Sequence, residues 1–415
     1  MMRLCRFSFL ALVTVFVYLA SAQTSVGAQA KPRARDLGVP FDGTPGPYNA
    51  ITDVKGVEVG HTTLISGEGK LVVGQGPVRT GVTAVLPRGK TSTDAVFGAW
   101  FTLNGNGEMT GTTWLEDSGL LDGPVMITNT HSVGVVRDAV IAWKVKHGTP
   151  DMEGYWWSLP VVAETWDGWL NDINGFHVKP EDAFHALDSA HSGRVEEGDV
   201  GGGTGMICNE FKGGIGTSSR VLDAKDGGYT IGVLVQCNYG RRDQLRIAGV
   251  PVGKEIREHP AYEETGALRA PSETTNPTVP GNVEPDSDRD TGSIIIVIAT
   301  DAPLIPTQLK RVARRASLGL GRDGSYSGDG SGDIFVSFST ANPGAGGSKG
   351  IHDLHMLPND SLDPIFLATV QATEEAVVNA MVAAETMTGI NGHTAIALPH
   401  DRLRDVLKKY NRLAQ

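Results

Sequence analysis

One abrupt boundary, between a polar segment and a core strand, constrains the fold of this 415-residue chain more than any other feature. Residues 256–290 carry five prolines, eight acidic and three basic residues, which predicts an exposed, flexible linker or long loop. Ser293–Thr300 (SIIIVIAT) follows almost at once, and its β-branched run is typical of a strand buried on both faces. The chain must therefore place an exposed loop directly against the start of a core strand.

The rest of the chain mixes strands and helices. Apolar stretches bounded by glycine and proline predict strands at residues 57–59, 81–85, 229–235 and 334–340. Amphipathic spacing and end signals predict helices at residues 132–144, 180–189, 306–319, 363–385 and 401–410. Gly319 is expected to end the third of these helices, and Asp363 to cap the fourth. The fold class is therefore α/β or α+β.

The first residues have the features of an export signal. Arg3 and Arg6 precede a 14-residue apolar run, residues 7–20, that is too short to span a bilayer comfortably. Small residues at positions 20–22 fit a cleavage site, and residues 28–30 offer a second one. We predict a signal peptide over residues 1–22, a periplasmic or secreted protein, and no membrane contact after signal removal.

Export permits disulfides, but few cysteines are available for them. Cys208 and Cys237 are the only cysteines that remain after the signal peptide. They could form one bridge at most, so a fold stabilised by many disulfides is excluded. Both lie in apolar or Gly-rich surroundings, which favours buried free thiols.

Composition and the absence of common motifs exclude several functions. A net charge of −11 and the lack of a long basic run argue against a nucleic-acid partner. No zinc-peptidase motif or P-loop occurs. Residues 319–324 match the letters of a dinucleotide-binding fingerprint but follow a helix instead of a strand. His352 and His355 lack a nearby third metal ligand, so no metal site is predicted.

The dipeptide before the core strand is compatible with self-cleavage. Gly292 has no Cβ, so its carbonyl could be approached by the hydroxyl of Ser293. An N-to-O acyl shift and hydrolysis would free the α-amine of Ser293, whose unperturbed pKa of about 8 suits a base for its own hydroxyl. On the dipeptide alone, an ordinary turn is the simpler interpretation.

Several longer stretches resemble one enzyme family. They are RARDLGVPFDGTPGPYNAITDVKGVEVGHTT, PVVAETWDGWLNDINGFHV, GDVGGGTGMICNEFKGGIGTSSRV, YTIGVLVQCNYG, GSIIIVIATDAPLIP and QATEEAVVNAMVAAETMTG. Together they resemble the self-processing family of β-aminopeptidases and L-aminopeptidase/D-amidase-esterases, over nearly the whole chain except the linker. The resemblance implies a four-layer αββα sandwich of the N-terminal-nucleophile type. It also implies a precursor cut before Ser293 into an α chain (23–292) and a β chain (293–415), which form one catalytic domain.

The resemblance also assigns the reacting groups. Ser293 falls on the nucleophile of the family, and Asn238 falls on the amide that stabilises the oxyanion. Ser331 and Asp333 fall on the pair that assists the nucleophile. SGDGSGD repeats this tripeptide, so Ser327 and Asp329 are a rival pair, although counting back from the 334–340 strand favours the second copy.

Substrate binding is assigned to residues near the middle of the chain. The resemblance places Glu164 on the carboxylate that binds the free ammonium of the substrate. Trp166 lies where relatives vary and is expected to wall the substrate pocket or to join the core. His131 could act as a base, but the implied mechanism needs none, so a structural role is expected.

The resemblance thus implies a self-cleaving serine aminopeptidase. It would release N-terminal residues from peptides, amides or esters, including β-peptides, without a metal or organic cofactor, as a tetramer of αβ heterodimers. The sequence does not distinguish β-peptide, L-aminoacyl and D-alanyl substrates. Two alternatives stay open: an acyltransferase of similar fold, against which a serine nucleophile counts, and a non-catalytic periplasmic ligand-binding protein.

Overall fold

Strands and helices are mixed along the chain. The structure, a computed structural model, describes residues 31–148, 157–258, 292–347 and 349–414. The strands are β1 (Glu58–Ser66), β2 (Val78–Leu86), β3 (Val96–Gly105), β4 (Leu120–Leu121), β5 (Val125–Asn129), β6 (Val161–Thr165), β7 (Ile207–Cys208), β8 (Phe211–Lys212), β9 (Gly214–Val221), β10 (Thr230–Asn238), β11 (Ser293–Thr300), β12 (Gly332–Ser339), β13 (Met387–Thr388) and β14 (Thr394–Ala395). The α-helices are α1 (Thr112–Ser118), α2 (Val133–His147), α3 (Pro180–Asp188), α4 (Val252–Glu255), α5 (Pro306–Arg322), α6 (Asp363–Val382) and α7 (His400–Lys409).

Two large sheets lie face to face. One has four strands in the order β1-β2-β5-β6, and the other has six in the order β4-β3-β12-β11-β10-β9. An apolar core between them joins residues such as Val85 and Ile127 of the first sheet to Ile295 and Val336 of the second. Helices α2 and α3 cover the outer face of the four-stranded sheet, and α5 and α6 cover that of the six-stranded sheet. The result is the predicted αββα arrangement.

Strand β11 is the central element of the larger sheet. It pairs antiparallel with β10 and parallel with β12. Ile294, Ile296 and Ile298 pack on the helical side, whereas Ile295 and Val297 pack between the sheets. All eight residues of the strand are buried, so the predicted strand with two buried faces is confirmed with its predicted bounds.

Two predictions about helix ends were wrong. Gly319 does not end α5, which continues to Arg322. A Cβ at Gly319 would lie 2.6 Å from the Cβ of Thr373, so this glycine allows α5 to pack closely on α6. Asp363 is the first residue of α6 and not its cap, since Leu362 holds the cap position without a side-chain hydrogen bond.

The expectation of free thiols was also wrong. Cys208 and Cys237 form a disulfide with Cα atoms 5.6 Å apart. The β7–β8 hairpin lies against the end of β10, and the backbone N–H of Asn209 donates to the carbonyl of Tyr239 at 2.7 Å. This packing brings the two cysteines together, although 29 residues separate them in sequence.

Some sequence-based predictions fall outside the described residues. The signal peptide, residues 1–22, lies there, as do residues 259–290 of the linker. In the described part of the chain, one helical stretch, Asn359–Val382, is long and apolar enough to cross a membrane, and 83% of its most apolar window is buried within the protein. Across the described ranges, no group of three or more His, Cys, Asp and Glu side chains is arranged to hold a metal ion.

Candidate active site

Ser293 stands at the start of the central strand, between two neighbours that bring other polar groups to it. In the ladder it lies opposite Asn238 of β10 on one side and Gly332 of β12 on the other. Only 5% of Ser293 is exposed. Its position is set by the pairing of β11 with β10 on one side and with β12 on the other.

Gly292 is closely enclosed by the same neighbours. A Cβ at this position would lie 2.4 Å from the Cα of Tyr239 and 2.5 Å from the carbonyl oxygen of Asn238. The backbone N–H of Gly332 donates to the carbonyl of Gly292 at 3.1 Å. A larger residue would not fit here, and the carbonyl before Ser293 is held in a fixed position by a hydrogen bond donor.

Ser331 and Asp333 flank Gly332, the residue that pairs with Ser293. Asp333 lies on β12, and Ser331 comes directly before this strand. The hydroxyl of Ser331 donates to Oδ1 of Asp333 at 2.7 Å, and both residues are fully buried. Asp333 stands opposite Ile294 in the parallel ladder, one step from Ser293. The second copy of the repeated tripeptide is therefore the one that the fold brings to Ser293.

The first copy lies in the preceding loop. Ser327 is half-buried, and Asp329 is exposed. The side-chain amide of Asn104 donates to the carbonyls of Ser327 and Gly328, each at 2.7 Å. These hydrogen bonds attach the backbone of the loop to the end of β3. The side chains of Ser327 and Asp329 are not part of the buried Ser331–Asp333 pair.

Both the oxygen and the nitrogen of the Asn238 side-chain amide make hydrogen bonds. Its Oδ1 accepts from the backbone N–H of Ile207 at 2.8 Å, and its Nδ2 donates to the carbonyl of Trp166 at 2.9 Å. The amide orientation is therefore fixed. One Nδ2 hydrogen remains for another acceptor, because a primary amide carries two.

Glu164 lies near the end of β6 in the other sheet and is buried. One carboxylate oxygen accepts from the backbone N–H of Glu108 at 2.9 Å, and the other accepts from the hydroxyl of Thr130. Burial raises the pKa of Glu164, while these two hydrogen bonds and the neighbouring His131 oppose that rise. His131 itself is exposed and stacks on Phe176 with ring centroids 6.0 Å apart.

Groups from both sheets meet at one cavity of about 440 Å³. Its lining residues are Asn106, Gly107, Glu108, Thr130, Glu164, Trp166 and Ser293. Trp166 is 45% exposed and forms part of the wall of this cavity. Sequence reasoning did not predict four of these residues, Asn106, Gly107, Glu108 and Thr130. They follow the ends of β3 and β5, and residues just after a strand carry no sequence signal of the groups that they contact in the folded protein.

The profile of peptidase family S58 matches residues 49–395 of this sequence. The chain belongs to this family. The chain is also 58% identical, over 95% of its length and 96% of the relative's, to a beta-peptidyl aminopeptidase BapA of Sphingosinicella microcystinivorans. A second beta-peptidyl aminopeptidase BapA, from Sphingosinicella xenopeptidilytica, is 48% identical over 96% of each chain.

Solved structures agree with these sequence relatives. The L-aminopeptidase D-Ala-esterase/amidase of Ochrobactrum anthropi, described as a prototype serine aminopeptidase with a variant Ntn hydrolase fold, superposes with a TM-score of 0.81. It is 49% identical, with 92% of this chain and 100% of that chain covered. A Burkholderia beta-aminopeptidase gives a TM-score of 0.78 at 45% identity, covering 91% and 99% of the two chains. The predicted family, fold class and aminopeptidase activity are confirmed, which disfavours the acyltransferase and the non-catalytic alternatives.

Proposed function

We propose that this S58 peptidase cuts its own chain between Gly292 and Ser293 and then works as an N-terminal-serine aminopeptidase. The observation that carries the proposal is the place of Ser293, which lines one cavity with Glu164 and starts a strand whose two neighbours carry Asn238 and the Ser331–Asp333 pair. Nucleophile, oxyanion donor and amine-binding carboxylate are then within one site.

Self-cleavage begins when Oγ of Ser293 attacks the carbonyl carbon of Gly292. The Oγ–C bond forms as the C–N bond breaks, and the hydroxyl proton passes to the leaving nitrogen. The hydrogen bond from Gly332 to the Gly292 carbonyl supports this step, because it stabilises negative charge on that oxygen. Water then hydrolyses the ester, which leaves a carboxylate on Gly292 and a free amine on Ser293.

In the mature enzyme, the new amine of Ser293 accepts the proton of its own hydroxyl. The Oγ atom attacks the first carbonyl of the substrate and forms an acyl-enzyme as the bond to the leaving amine or alcohol breaks, and the Ser293 ammonium returns the proton to that leaving group. Water then hydrolyses the acyl-enzyme and releases the first residue with a free carboxylate. The O–H of Ser331 donates to Asp333, so the Ser331 oxygen is oriented to accept a hydrogen bond from the hydroxyl or ammonium of Ser293. Asn238 donates its remaining Nδ2 hydrogen to the developing oxyanion without reorganising, since its amide is already fixed.

Glu164 restricts the enzyme to free N-termini. A buried carboxylate whose two oxygens already accept hydrogen bonds is stabilised further by a substrate ammonium. The names of the relatives extend the proposed substrates to β-peptides and to D-alanyl amides and esters. We also propose export through the 1–22 signal, action in the periplasm or outside the cell, and assembly as a tetramer of αβ heterodimers.

Intact-mass spectrometry with N-terminal sequencing tests the self-cleavage. We expect two chains from the wild type, the smaller one starting Ser-Ile-Ile-Ile, and one uncut, inactive chain from Ser293→Ala. Ser293→Thr keeps a hydroxyl and is the matched control, which should still be cut, more slowly. An uncut wild-type chain that hydrolyses peptides would contradict the proposal.

A further inference from the structure

The cavity beside Ser293 presents more negative charge than one substrate ammonium requires. Of its lining residues in the described part of the chain, Glu164 and Glu108 are acidic, and none is lysine or arginine. Glu164 is buried and Glu108 is exposed, so one carboxylate lies deep in the site and the other lies at its rim. The aminopeptidase reaction accounts for the first carboxylate and leaves the second unassigned.

The backbone places Glu108 at a fixed distance from Glu164. Its N–H donates to Oε1 of Glu164 at 2.9 Å, so the Glu108 side chain begins next to the deep carboxylate. The negative charge of Glu108 also raises the pKa of Glu164, whereas His131 acts in the opposite direction. The two glutamates therefore act on the same enclosed space.

The segment that carries Glu108 is fastened to the nucleophile side of the site. Asn104 donates to the carbonyls of Ser327 and Gly328, and Asn106 donates to the carbonyl of Gly330 at 2.7 Å. A Cβ at Gly332 would lie 2.3 Å from the carbonyl oxygen of Asn106, so the two segments touch. The position of Glu108 relative to Ser293 is thus set by the protein and does not depend on a substrate.

We infer that Glu108 is a specificity-determining residue that binds a second positive charge, carried by the side chain of the substrate's first residue. Glu164 binds the amino group of the same residue, so this inference rests on the proposed function. The half-exposed indole of Trp166 lines the same cavity and offers an apolar surface to the stem of such a side chain. The substrates favoured are peptides or amides that begin with lysine, ornithine or a β-amino acid with a basic side chain.

A matched pair of substrates tests this assignment. Lysyl and norleucyl p-nitroanilide have side chains of similar length and differ in the terminal ammonium. We expect the wild type to favour the lysyl substrate by about three-fold in kcat/KM, the size of an exposed ion pair. Glu108→Gln should bring the ratio of the two values close to one, and Glu108→Lys should bring it below one.

Two controls separate local binding from general charge effects. Glu196→Gln removes the same charge from an exposed position outside the cavity and should leave the ratio at the wild-type value. Added salt should shrink the wild-type preference, because exposed charges are screened. Circular dichroism and melting curves check that the Glu108 variants are folded.

The outcomes are distinguishable. An unchanged ratio in both Glu108 variants overturns the inference and leaves the proposed function standing. Equal loss on both substrates also overturns it, since Glu108 would then act on the amino group common to both. If the wild type cleaves neither of these substrates and no other peptide with a free N-terminus, the proposed function is overturned and this inference with it.

Discussion

The two halves of the site are held in place by different parts of the protein. In the nucleophile half, Ser293, Asn238, Ser331 and Asp333 lie on or next to paired strands of the six-stranded sheet, and none is more than 7% exposed. In the recognition half, Glu164, Thr130 and Trp166 lie at the ends of two strands of the other sheet, and Glu108 follows β3. Paired strands hold the first half or the residue next to it, whereas in the second half only Glu164 lies in a paired strand and the other three residues lie just beyond strand ends.

This difference separates rate from selectivity. The ladder that positions the nucleophile half also holds the core together, so its geometry cannot change without loss of the fold. The exposed side chains of the recognition half, Trp166 and Glu108, can change at little cost to stability, because surface substitutions seldom exceed about 0.5 kcal/mol. We therefore expect substitutions in the first half to lower kcat, and those in the second half to change KM and substrate preference.

Among the substitutions that test this division into two halves, the largest loss of activity is expected at Ser331. Ser331→Ala removes the hydroxyl that donates to Asp333 and lies next to Ser293. We expect slower self-cleavage and a loss of about 10²–10⁴-fold in kcat, the range of assisted proton transfer. Intact-mass time courses and steady-state kinetics on the cleaved fraction measure the two effects.

Ser327→Ala is the matched control, because it changes the same residue in the first copy of the repeated tripeptide. It should be cut and should turn over like the wild type. If Ser327→Ala is the impaired variant, the assignment of the buried pair is wrong.

A smaller effect is expected at Asn238, which connects the two halves through the Trp166 carbonyl. Asn238→Ala should lower kcat by about 10²–10³-fold, as expected for the loss of one oxyanion donor. Asn238→Asp retains an acceptor for the Ile207 N–H but loses the donor and turns an oxygen toward the Trp166 carbonyl, so it should be equally inactive. A rise in KM with an unchanged kcat would instead assign Asn238 to the recognition half.

The smallest effect on rate is expected at Glu164. Glu164→Gln keeps the shape and loses the charge, so KM should rise by about 10–100-fold, the value of a hydrogen bond to a charged group. The value of kcat should change much less. An N-acetylated substrate, which lacks the ammonium, should be a poor substrate for both proteins.

The pH dependence of KM provides a second readout of Glu164. Burial raises its pKa above the ordinary 4.5, and only the ionised form binds an ammonium. KM should therefore rise as the pH falls through a value above 4.5. Glu164→Gln should lack this acidic limb, and a limb that persists in the variant would assign it to another group.

The sequence predicted strand β11 with its bounds because the signal for a buried strand is local. The β-branched run bounds β11, and counting back from the next strand selects Ser331 over Ser327. Glu108 and Thr130 could not be predicted, since they reach Glu164 only after three separate segments have packed together. The disulfide was missed for the same reason, because the β7–β8 hairpin meets β10 only in the folded protein. Gly319 was misinterpreted because a glycine in a helix can serve close packing as well as termination.

The order of strands in the larger sheet would have a consequence for an enzyme cut as proposed. In that two-chain enzyme, strands β11 and β12 would belong to the second chain, and they lie between β3 and β10, which would belong to the first. The Cys208–Cys237 disulfide lies wholly within the first chain and does not join the two. The chains are therefore interleaved, and they can separate only by breaking ladders on both sides of β11–β12. Once unfolded, they would have to find each other again by a slow, bimolecular, non-local pairing, so the lifetime of the mature enzyme is set by its rate of unfolding and not by an equilibrium.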